Sequence, residues 1–202
     1  MGPDDLPLRF GPETLPKPGL RQNEGMTVRD ATEADLPVIN AIYNHYVRSS
    51  TCTFQVEPTS LEERRAWFEA HGPTHPVIVV DEPDAAEASN VTAWACLSKV
   101  YPREAYDHTV ELSVYVRHDR RGRGLGRQLV NELLARARRA GHHVVIAQVS
   151  ADQSASLDLH RELGFREAGI LRQVGFKFER WLDVVLFDFV LGGGSAQPHA
   201  SH

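Results

Sequence analysis

The chain has 202 residues, 42% of them hydrophobic, and a formal net charge of −5 at pH 7. This length and apolar content are typical of one globular domain with a full core plus some terminal chain. The mildly acidic balance argues against nonspecific binding to nucleic acid or to a membrane surface as the main role.

The two ends of the chain differ in composition from its middle. Residues 1–25 are rich in proline and glycine without apolar periodicity, and residues 192–202 are rich in glycine and small residues. We therefore expect a flexible extension, one ordered domain over 26–191 and a disordered tail. Met26, where order is expected to begin, is a candidate second start site. With no apolar run near 18 residues and no secretory leader pattern, the cytoplasm is the expected location.

The first half of the domain predicts one strand, two helices and two further strands. They are expected directly after Met26, over 36–47 and 60–68, and at 77–80 and 91–100. Each helix is preceded by a capping box, at Thr32–Asp35 and at Ser60–Glu63. A β-leaning stretch, 50–58, separates the helices, and an exposed turn, 82–90, separates the two strands.

Residues 109–140 form the stretch from which function can be argued. Residues 109–116, TVELSVYV, alternate at period two as a strand does, and leucines from Leu125 onward recur at helical spacing. The turn between them contains three glycines among arginines: Gly122, Gly124 and Gly126. Such a turn points bare backbone N–H groups, backed by the positive end of the helix dipole, at an anion. The stretch therefore predicts a bound phosphate or pyrophosphate.

The rest of the chain completes an alternating pattern of strands and helices. A strand is expected at 142–149, and a helix at 154–165 has Gly164 as its C-cap. A β-leaning segment around 170–174 and a last strand at 181–191 follow. The resulting order, β α α β β β α β α β β, predicts a mixed α/β sheet flanked by helices in a single domain.

Two common phosphate-binding patterns are excluded in the glycine-rich loop. The P-loop pattern G-x-x-x-x-G-K-[ST] is absent, and G-x-G-x-x-G fails because Arg127 occupies the position of the third glycine. The spacing that is present is Arg121-x-x-Gly124-x-Gly126. It resembles the acyl-CoA loop of the GNAT superfamily of N-acyltransferases, which reads [Q/R]-x-x-G-x-[G/A] between a central strand and a long helix.

Stretches outside the loop extend this resemblance to one branch of the superfamily. They are RDATEADLPVINAIYNHYV, TCTF, REAYDHTVELSVYV, RRGRGLGRQLV, SLDLHRELGF and VGFKFERWLDVVLF, in family order from Arg29 to about Val190. Together they are similar to the phosphinothricin and methionine sulfone acetyltransferases. The resemblance implies the GNAT fold, acetyl-CoA as co-substrate, acetyl transfer to the α-amine of a small amino acid, and a homodimer.

The resemblance also implies roles for the central strand. Glu111 matches the family's glutamate and is the candidate general base, because burial in a partly apolar strand raises a carboxylate pKa toward neutrality. The alternative is a solvent-facing glutamate on an edge strand. The backbone of Val114, Tyr115 and Val116 is expected to pair with the pantetheine arm and to supply an oxyanion donor.

Further contacts with coenzyme A are expected on the loop and on the helix at 154–165. The loop residues that should cradle the pyrophosphate are Arg121, Gly122, Arg123, Gly124, Leu125, Gly126 and Arg127. Gln153 and Ser156 are candidates for the pantetheine side. His160 is either the acid that protonates the departing thiolate or a contact for coenzyme A, with a hydrogen-bonded helix histidine as the alternative.

The acceptor amino acid brings a carboxylate, which a bidentate arginine would recognise. Arg103 matches the family's arginine for that role, and Phe54 and Tyr106 would supply apolar walls. Lys177 and Trp181 are further candidates, and packing is the alternative for Trp181.

Three positions depart from the family pattern. Gln153 stands where the family has Asn, and Ala93 and Glu179 stand where Gly is usual. The first departure concerns the contact with the pantetheine arm, and the other two concern the shape of the acceptor pocket.

Other readings of the sequence remain open. The enzyme alternatives are acetylation of a protein N-terminus or of another small amine, and the non-enzyme alternative is an acyl-CoA-binding module without catalysis. A nucleotide-dependent oxidoreductase is the weakest of these. No metal is expected, because Cys52 and Cys96 form no zinc pattern and His108, His142 and His143 lack metal-ligand spacing.

Overall fold

The computed structural model describes residues 26–83 and 89–192. The predicted N-terminal extension, part of the turn at 82–90 and nearly all of the predicted tail lie outside these residues. No helix among the described residues is long and apolar enough to cross a membrane.

The order of strands and helices predicted from the sequence is confirmed. The elements are β1 (Thr27–Asp30), α1 (Leu36–Ser49), α2 (Leu61–Glu69), β2 (Val77–Asp81), β3 (Val91–Lys99), β4 (Thr109–Val116), α3 (Leu125–Arg139), β5 (Val144–Ser150), α4 (Ser154–Glu162), β6 (Arg166–Lys177) and β7 (Arg180–Val190). Short 3-10 turns stand at Glu33–Asp35, Glu104–Tyr106 and His118–Arg120. The main difference is β6, which is much longer than the segment around 170–174 that the sequence indicated.

The strands form a seven-stranded mixed sheet in the order β1-β2-β3-β4-β5-β7-β6. Only β4 and β5 are parallel neighbours, and α3 makes the crossover that such a pair requires. Their pairing is short, because it covers Thr109–Glu111 on β4 and Val144–Ile146 on β5 and then stops. Both strands continue beyond that point, so they diverge and open a cleft in the middle of the sheet.

The two faces of the sheet hold separate apolar cores. On one face α3 and α4 pack over residues such as Val110, Leu112 and Ala147. On the other face α1 and α2 pack over residues such as Val79 and Trp94. Because side chains alternate along a strand, Glu111, Ser113 and Tyr115 of β4 lie on the α1 and α2 side.

Local signals in the sequence account for several element boundaries. In the second capping box, Ser60 N donates to Glu63 Oε2 at 2.7 Å and Glu63 N donates to Ser60 Oγ at 3.1 Å. The first capping box precedes the 3-10 turn that leads into α1, where Thr32 N donates to Asp35 Oδ2 at 2.8 Å. Gly164 ends α4 with φ +87°, as the C-cap prediction requires.

The β-leaning stretch at 50–58 forms no strand. Side chains satisfy its backbone instead: Lys177 Nζ donates to the carbonyl oxygens of Ser50 and Thr53 at 2.8 and 2.7 Å. At the end of the stretch, Asn44 exchanges hydrogen bonds with the backbone of Thr59. A segment whose polar groups are satisfied in this way has no need of a neighbouring strand.

Candidate active site

A cavity of about 70 Å³ lies where β4 and β5 diverge. Its walls come from β4, β5, α4 and the loop after α1, and they include six of the residues selected from the sequence: Glu111, Val114, Tyr115, Gln153, Ser156 and His160. Residues far apart in the chain therefore meet where the pairing of β4 and β5 ends.

Glu111 is the last residue of β4 that pairs with β5, opposite Ile146. Its side chain is half-buried and lines the cavity. Burial raises the pKa of the Glu111 carboxyl above its ordinary value, and a hydrogen bond with Gln148 partly offsets the rise. A carboxylate with a raised pKa at a cavity wall has the position and the basicity of a general base.

The side chain of His160 lines the same cavity from α4. Its Nδ1 lies 2.8 Å from the carbonyl oxygen of Ser156, and because a carbonyl only accepts, Nδ1 carries the proton. The ring is 2% exposed, and burial lowers its pKa. Within the described part of the chain the buried Nε2 has no hydrogen-bond partner. In this neutral state Nε2 can accept a proton but has none to donate, which favours a contact role over the acid role.

The edge of β4 that faces β5 is open beyond Glu111. Along Val114–Val116 the strand pairs with β3 on its other side and, within the described residues, with no strand on the β5 side. An extended chain with amide groups can add to such an edge by backbone hydrogen bonds. This geometry fits the expected pairing with the pantetheine arm.

The glycine-rich loop has the backbone conformation that an anion site requires. Gly122 and Gly124 adopt φ +74° and +81°, which side chains disfavour, and Gly124 is the residue that begins α3. The N–H groups of the first turn of α3 have no partner within the helix and point along its axis. Gly126 packs against α4, where an added Cβ would lie 3.3 Å from Leu159 Cδ2.

The loop arginines are bound to neighbouring elements. Arg121 Nε donates to Tyr46 Oη of α1 at 3.0 Å, and its guanidinium stacks on that ring. Arg123 forms an ion pair with Glu82 at 2.8 Å, and Arg127 forms one with Glu162. The arginines thus hold the loop in place, and the backbone N–H groups of the loop are its main feature for binding an anion.

The predicted amide contact at Gln153 is engaged within the protein. Gln153 Nε2 donates to Thr51 Oγ1 at 2.7 Å, and Thr51 Oγ1 donates to Asp152 Oδ1 at 2.6 Å. Arg180 of β7 also donates to the Asp152 carboxylate. This network joins the loop after α1, the start of α4 and the β6–β7 hairpin around the cavity.

The five residues expected to bind the acceptor do not line the cavity. Arg103 and Tyr106 are exposed near the turn before β4, and the Lys177 ammonium is occupied by two backbone carbonyls. Phe54 packs on the bare backbone of Gly175. Trp181, 63% exposed on β7, contacts Phe176.

Two of the departures from the family pattern also lie away from the cavity. Ala93 is fully buried in the core under α3, on the face of the sheet opposite Glu111. Glu179 is exposed in the two-residue turn of the β6–β7 hairpin, where Phe178 and Glu179 have φ of 51° and 59°. Two successive positive φ values are the signature of a type I′ turn, a conformation that favours glycine.

A second cavity, of about 240 Å³, adjoins the first on the α1 and α2 side of the sheet. Ser113 and Tyr115 line both cavities. The larger one is also lined by Arg64 of α2 and Trp94 of β3, which sequence reasoning missed. No local signal could have found Arg64, because its neighbour Arg65 is the same residue type on the same helix and is exposed.

No group of three or more His, Cys, Asp or Glu side chains among residues 26–83 and 89–192 is arranged to hold a metal ion.

Comparisons with known proteins agree with this geometry. Residues 39–165 match the family described as Acetyltransferase (GNAT) family. The chain is 42% identical, over 85% of its length and 98% of the relative, to an L-methionine sulfoximine/L-methionine sulfone acetyltransferase of Pseudomonas paraeruginosa. It is 38% identical, over 83% of its length and 84% of the relative, to a phosphinothricin N-acetyltransferase of Alcaligenes faecalis.

A solved structure has the same fold. It is that of a GNAT superfamily phosphinothricin acetyltransferase from Sinorhizobium meliloti in complex with acetyl-CoA, with a TM-score of 0.79 and 34% identity. The match covers 86% of this chain and 92% of that one.

Proposed function

The chain belongs to the GNAT family of acetyltransferases, and we propose that it moves an acetyl group from acetyl-CoA to the α-amine of a small amino acid, with Glu111 as general base. The observation that carries the proposal is the cavity where β4 and β5 diverge, which combines Glu111 with the open edge of β4. The acceptor class is supported by the names of the relatives, which act on methionine sulfone, methionine sulfoximine or phosphinothricin.

The residues present fit acetyl-CoA, which supplies an activated acetyl group as a thioester. The N–H groups of the glycine-rich loop and the first turn of α3 would bind the pyrophosphate. The open edge at Val114–Val116 would pair with the amides of the pantetheine arm. Ser156 and His160 line the far side of the cavity and would contact the thioester end.

Glu111 would prepare the nucleophile. An amino acid enters as an ammonium ion and must lose a proton before its nitrogen can attack. The raised pKa of the Glu111 carboxyl brings its proton affinity closer to that of the ammonium and helps the transfer, directly or through one water. The amine would attack the acetyl carbon itself, so that the N–C bond forms, the C–S bond breaks and coenzyme A leaves as its thiolate. No serine or cysteine nucleophile is needed for this step.

Backbone and side-chain donors would stabilise the charge that develops during transfer. An N–H on the open edge of β4 would face the oxygen that becomes negative, and a preorganised donor of this kind is a large contribution to rate. Burial raises the pKa of the Tyr115 hydroxyl, which therefore stays protonated, and the residue lines the cavity as a candidate side-chain donor.

Arg103 and Tyr106 remain our proposed contacts for the outer part of the acceptor. They lie around the exposed turn that leads into β4, the strand that carries Glu111. This position suits a rim that meets the carboxylate of an arriving amino acid.

We also propose that the protein is a homodimer. Its β6–β7 hairpin presents several large apolar side chains to solvent, among them Val174, Phe176 and Trp181. An exposed apolar surface of this kind is typical of an interface between chains. Light scattering after size exclusion should give twice the chain mass, and Trp181→Lys should shift the protein toward a monomer; a monomeric wild type would contradict the proposal.

The function is tested by measuring thiol release from acetyl-CoA with a panel of amines. The panel should contain L-methionine sulfone, phosphinothricin, a peptide with a free N-terminus and an unrelated amine. Turnover confined to the free amino acids supports the proposal. A preference for the peptide or for the unrelated amine would reject small amino acids as the acceptor class and identify the preferred amine as the acceptor instead. Thermal stabilisation by coenzyme A without turnover of any amine would instead indicate a binding module, and stabilisation by NAD alone would indicate an oxidoreductase.

A further inference from the structure

Arg64 is a buried cation for which the described part of the chain provides no carboxylate. It lies on α2 with 4% of its surface exposed, and no Asp or Glu among residues 26–83 and 89–192 pairs with it. Its Nε donates to Asn40 Oδ1 at 3.3 Å. Burial lowers the pKa of its guanidinium, because removal from water raises the free energy of the charged form.

Aromatic rings provide part of the compensation. The Cζ of Arg64 lies 4.4 Å from the ring centroid of Tyr43 and 4.6 Å from that of Trp67. Contacts with ring faces stabilise a guanidinium by about 1–2 kcal/mol, less than the cost of burying a charge without a counterion. The site therefore retains the capacity to bind an electron-rich group.

A second buried donor lines the same cavity. The Nε1 of Trp94 has no hydrogen-bond partner in the part of the chain that the structure describes. An indole N–H can only donate, and leaving it unpaired costs about 1–3 kcal/mol. Arg64, which has no carboxylate partner among the described residues, and Trp94, whose indole N–H is unpaired there, thus both line a space of about 240 Å³.

The composition of the lining indicates what the cavity can accept. Besides the two donors, its lining includes the hydroxyls of Ser98 and Ser113, and none of the described residues that line it carries a carboxylate. Its fitting occupant is a group with several acceptor oxygens, neutral or negatively charged.

The cavity also lies within reach of the proposed catalytic base. Ser113 lines both cavities and stands two residues from Glu111 on β4, a separation of about 7 Å along the strand. An amino acid with its α-amine at Glu111 and a side chain of three or four atoms would place its terminal group in the larger cavity.

We propose that Arg64 and Trp94 form the far end of the acceptor pocket and select acceptors whose side chain ends in oxygens that accept hydrogen bonds, such as a sulfone, a phosphinate or a carboxylate. This inference rests on the proposed function, since it concerns the acceptor of the same reaction. It assigns side-chain selectivity to α2 and β3, separate from the recognition of the α-carboxylate.

The test compares L-methionine sulfone with L-methionine, which has the same carbon skeleton without the two oxygens. The wild type should have a kcat/KM at least about 100-fold higher for the sulfone. Arg64→Met keeps the length and apolar stem of the side chain, and it should lower this ratio by about 10-fold or more. Arg64→Lys should retain part of the ratio, and Trp94→Phe should lower it less than Arg64→Met does.

Arg65→Met is the matched control, because Arg65 is exposed on the same helix. It should leave the ratio unchanged. The ratio is measured on one preparation, so the fraction of folded protein cancels, and a variant that folds poorly still gives an answer. A ratio near one in the wild type, or an unchanged ratio in both Arg64→Met and Trp94→Phe, would overturn the inference.

Calorimetric binding of L-methionine sulfone in the presence of coenzyme A separates the two proposals. Binding that depends on Arg64 without any acetyl transfer would reject the proposed function and retain the inference. Acetyl transfer to amino acids, with a ratio of kcat/KM for the sulfone to that for methionine that does not depend on Arg64, would retain the proposed function and reject the inference.

Discussion

The side-chain amide of Gln153 donates a hydrogen bond to the hydroxyl of Thr51, with 2.7 Å between Nε2 and Oγ1. The bond joins the start of α4 to the loop after α1, and both segments line the cavity at Glu111. The longer amide that stands here in place of the family's Asn therefore has a partner within the protein.

We expect Gln153→Ala and Thr51→Val to raise the KM for acetyl-CoA to a similar extent, about 2- to 10-fold, with little change in kcat. One hydrogen bond that positions a wall of the site contributes about 0.5–1.5 kcal/mol, which corresponds to this range. The double variant should be no worse than Thr51→Val alone, because that change already removes the bond between the two side chains. If Thr51→Val had no effect while Gln153→Ala did, the amide would contact acetyl-CoA directly.

Glu111→Gln should lower kcat at neutral pH by about 100-fold or more, because the amide cannot take the proton from the acceptor ammonium. The affinity for acetyl-CoA, measured by calorimetry, should change by less than about 2-fold, since the loop and the β4 edge are untouched. Glu69→Gln, an exposed change on α2, is the control. An unaltered kcat would remove Glu111 from the mechanism.

The same carboxylate predicts a pH dependence. The base must be ionised, so kcat/KM should fall as the pH falls through the pKa of Glu111, which burial has raised above its ordinary value. A profile of kcat/KM against pH should show this acid limb in the wild type above that ordinary value. The limb should be missing from the residual activity of Glu111→Gln.

Glu179→Gly should stabilise the protein by about 0.5–1 kcal/mol. Glu179 has φ 59°, a conformation that costs a side chain about 1–2 kcal/mol and glycine almost nothing, although glycine gains entropy in the unfolded chain. Differential scanning calorimetry should show a rise in Tm of about 2 °C. Glu179→Ala removes the charge but keeps the strain, and a rise of the same size in that variant would assign the effect to charge.

Lys177→Met should destabilise the protein by about 2 kcal/mol, because it leaves the buried carbonyls of Ser50 and Thr53 without their donor. Chemical denaturation of the variant measures this loss. Lys99→Met is the matched control, since Lys99 is an exposed lysine in a surface pair with Asp107. A variant with normal stability and a raised KM for the acceptor would return Lys177 to the substrate-binding role that the sequence suggested.

Much of the fold could be predicted because its signals are local. A capping box such as that of Ser60 and Glu63 spans four residues, and the left-handed conformation at Gly124 depends on one. The alternation along β4 separates the Glu111 side from the Val110 side whatever the strand packs against. The glycine spacing in the loop predicted an anion site for the same reason, since it depends on the backbone of a single turn.

The acceptor side could not be predicted, because burial and pairing depend on elements distant in the chain. Lys177 was a candidate for binding the acceptor, yet the loop after α1 supplies two carbonyls that bind its ammonium. Arg103 is exposed near the turn before β4, and its contact with the acceptor carboxylate is a proposal. Arg64, which the sequence did not select, is buried because α2 packs its inner face over Trp94.

The sequence by itself determined the order of strands and helices and predicted a glycine-rich turn suited to an anion, since both depend on residue type and spacing within one element. Its resemblance to the GNAT family supplied the candidate base. Only the tertiary structure decided where β4 and β5 separate, which side chains meet in the opening and which of two adjacent arginines loses its contact with water. Those outcomes depend on the packing of whole elements against one another, and the free energy of that packing is distributed over residues that no short stretch of sequence contains.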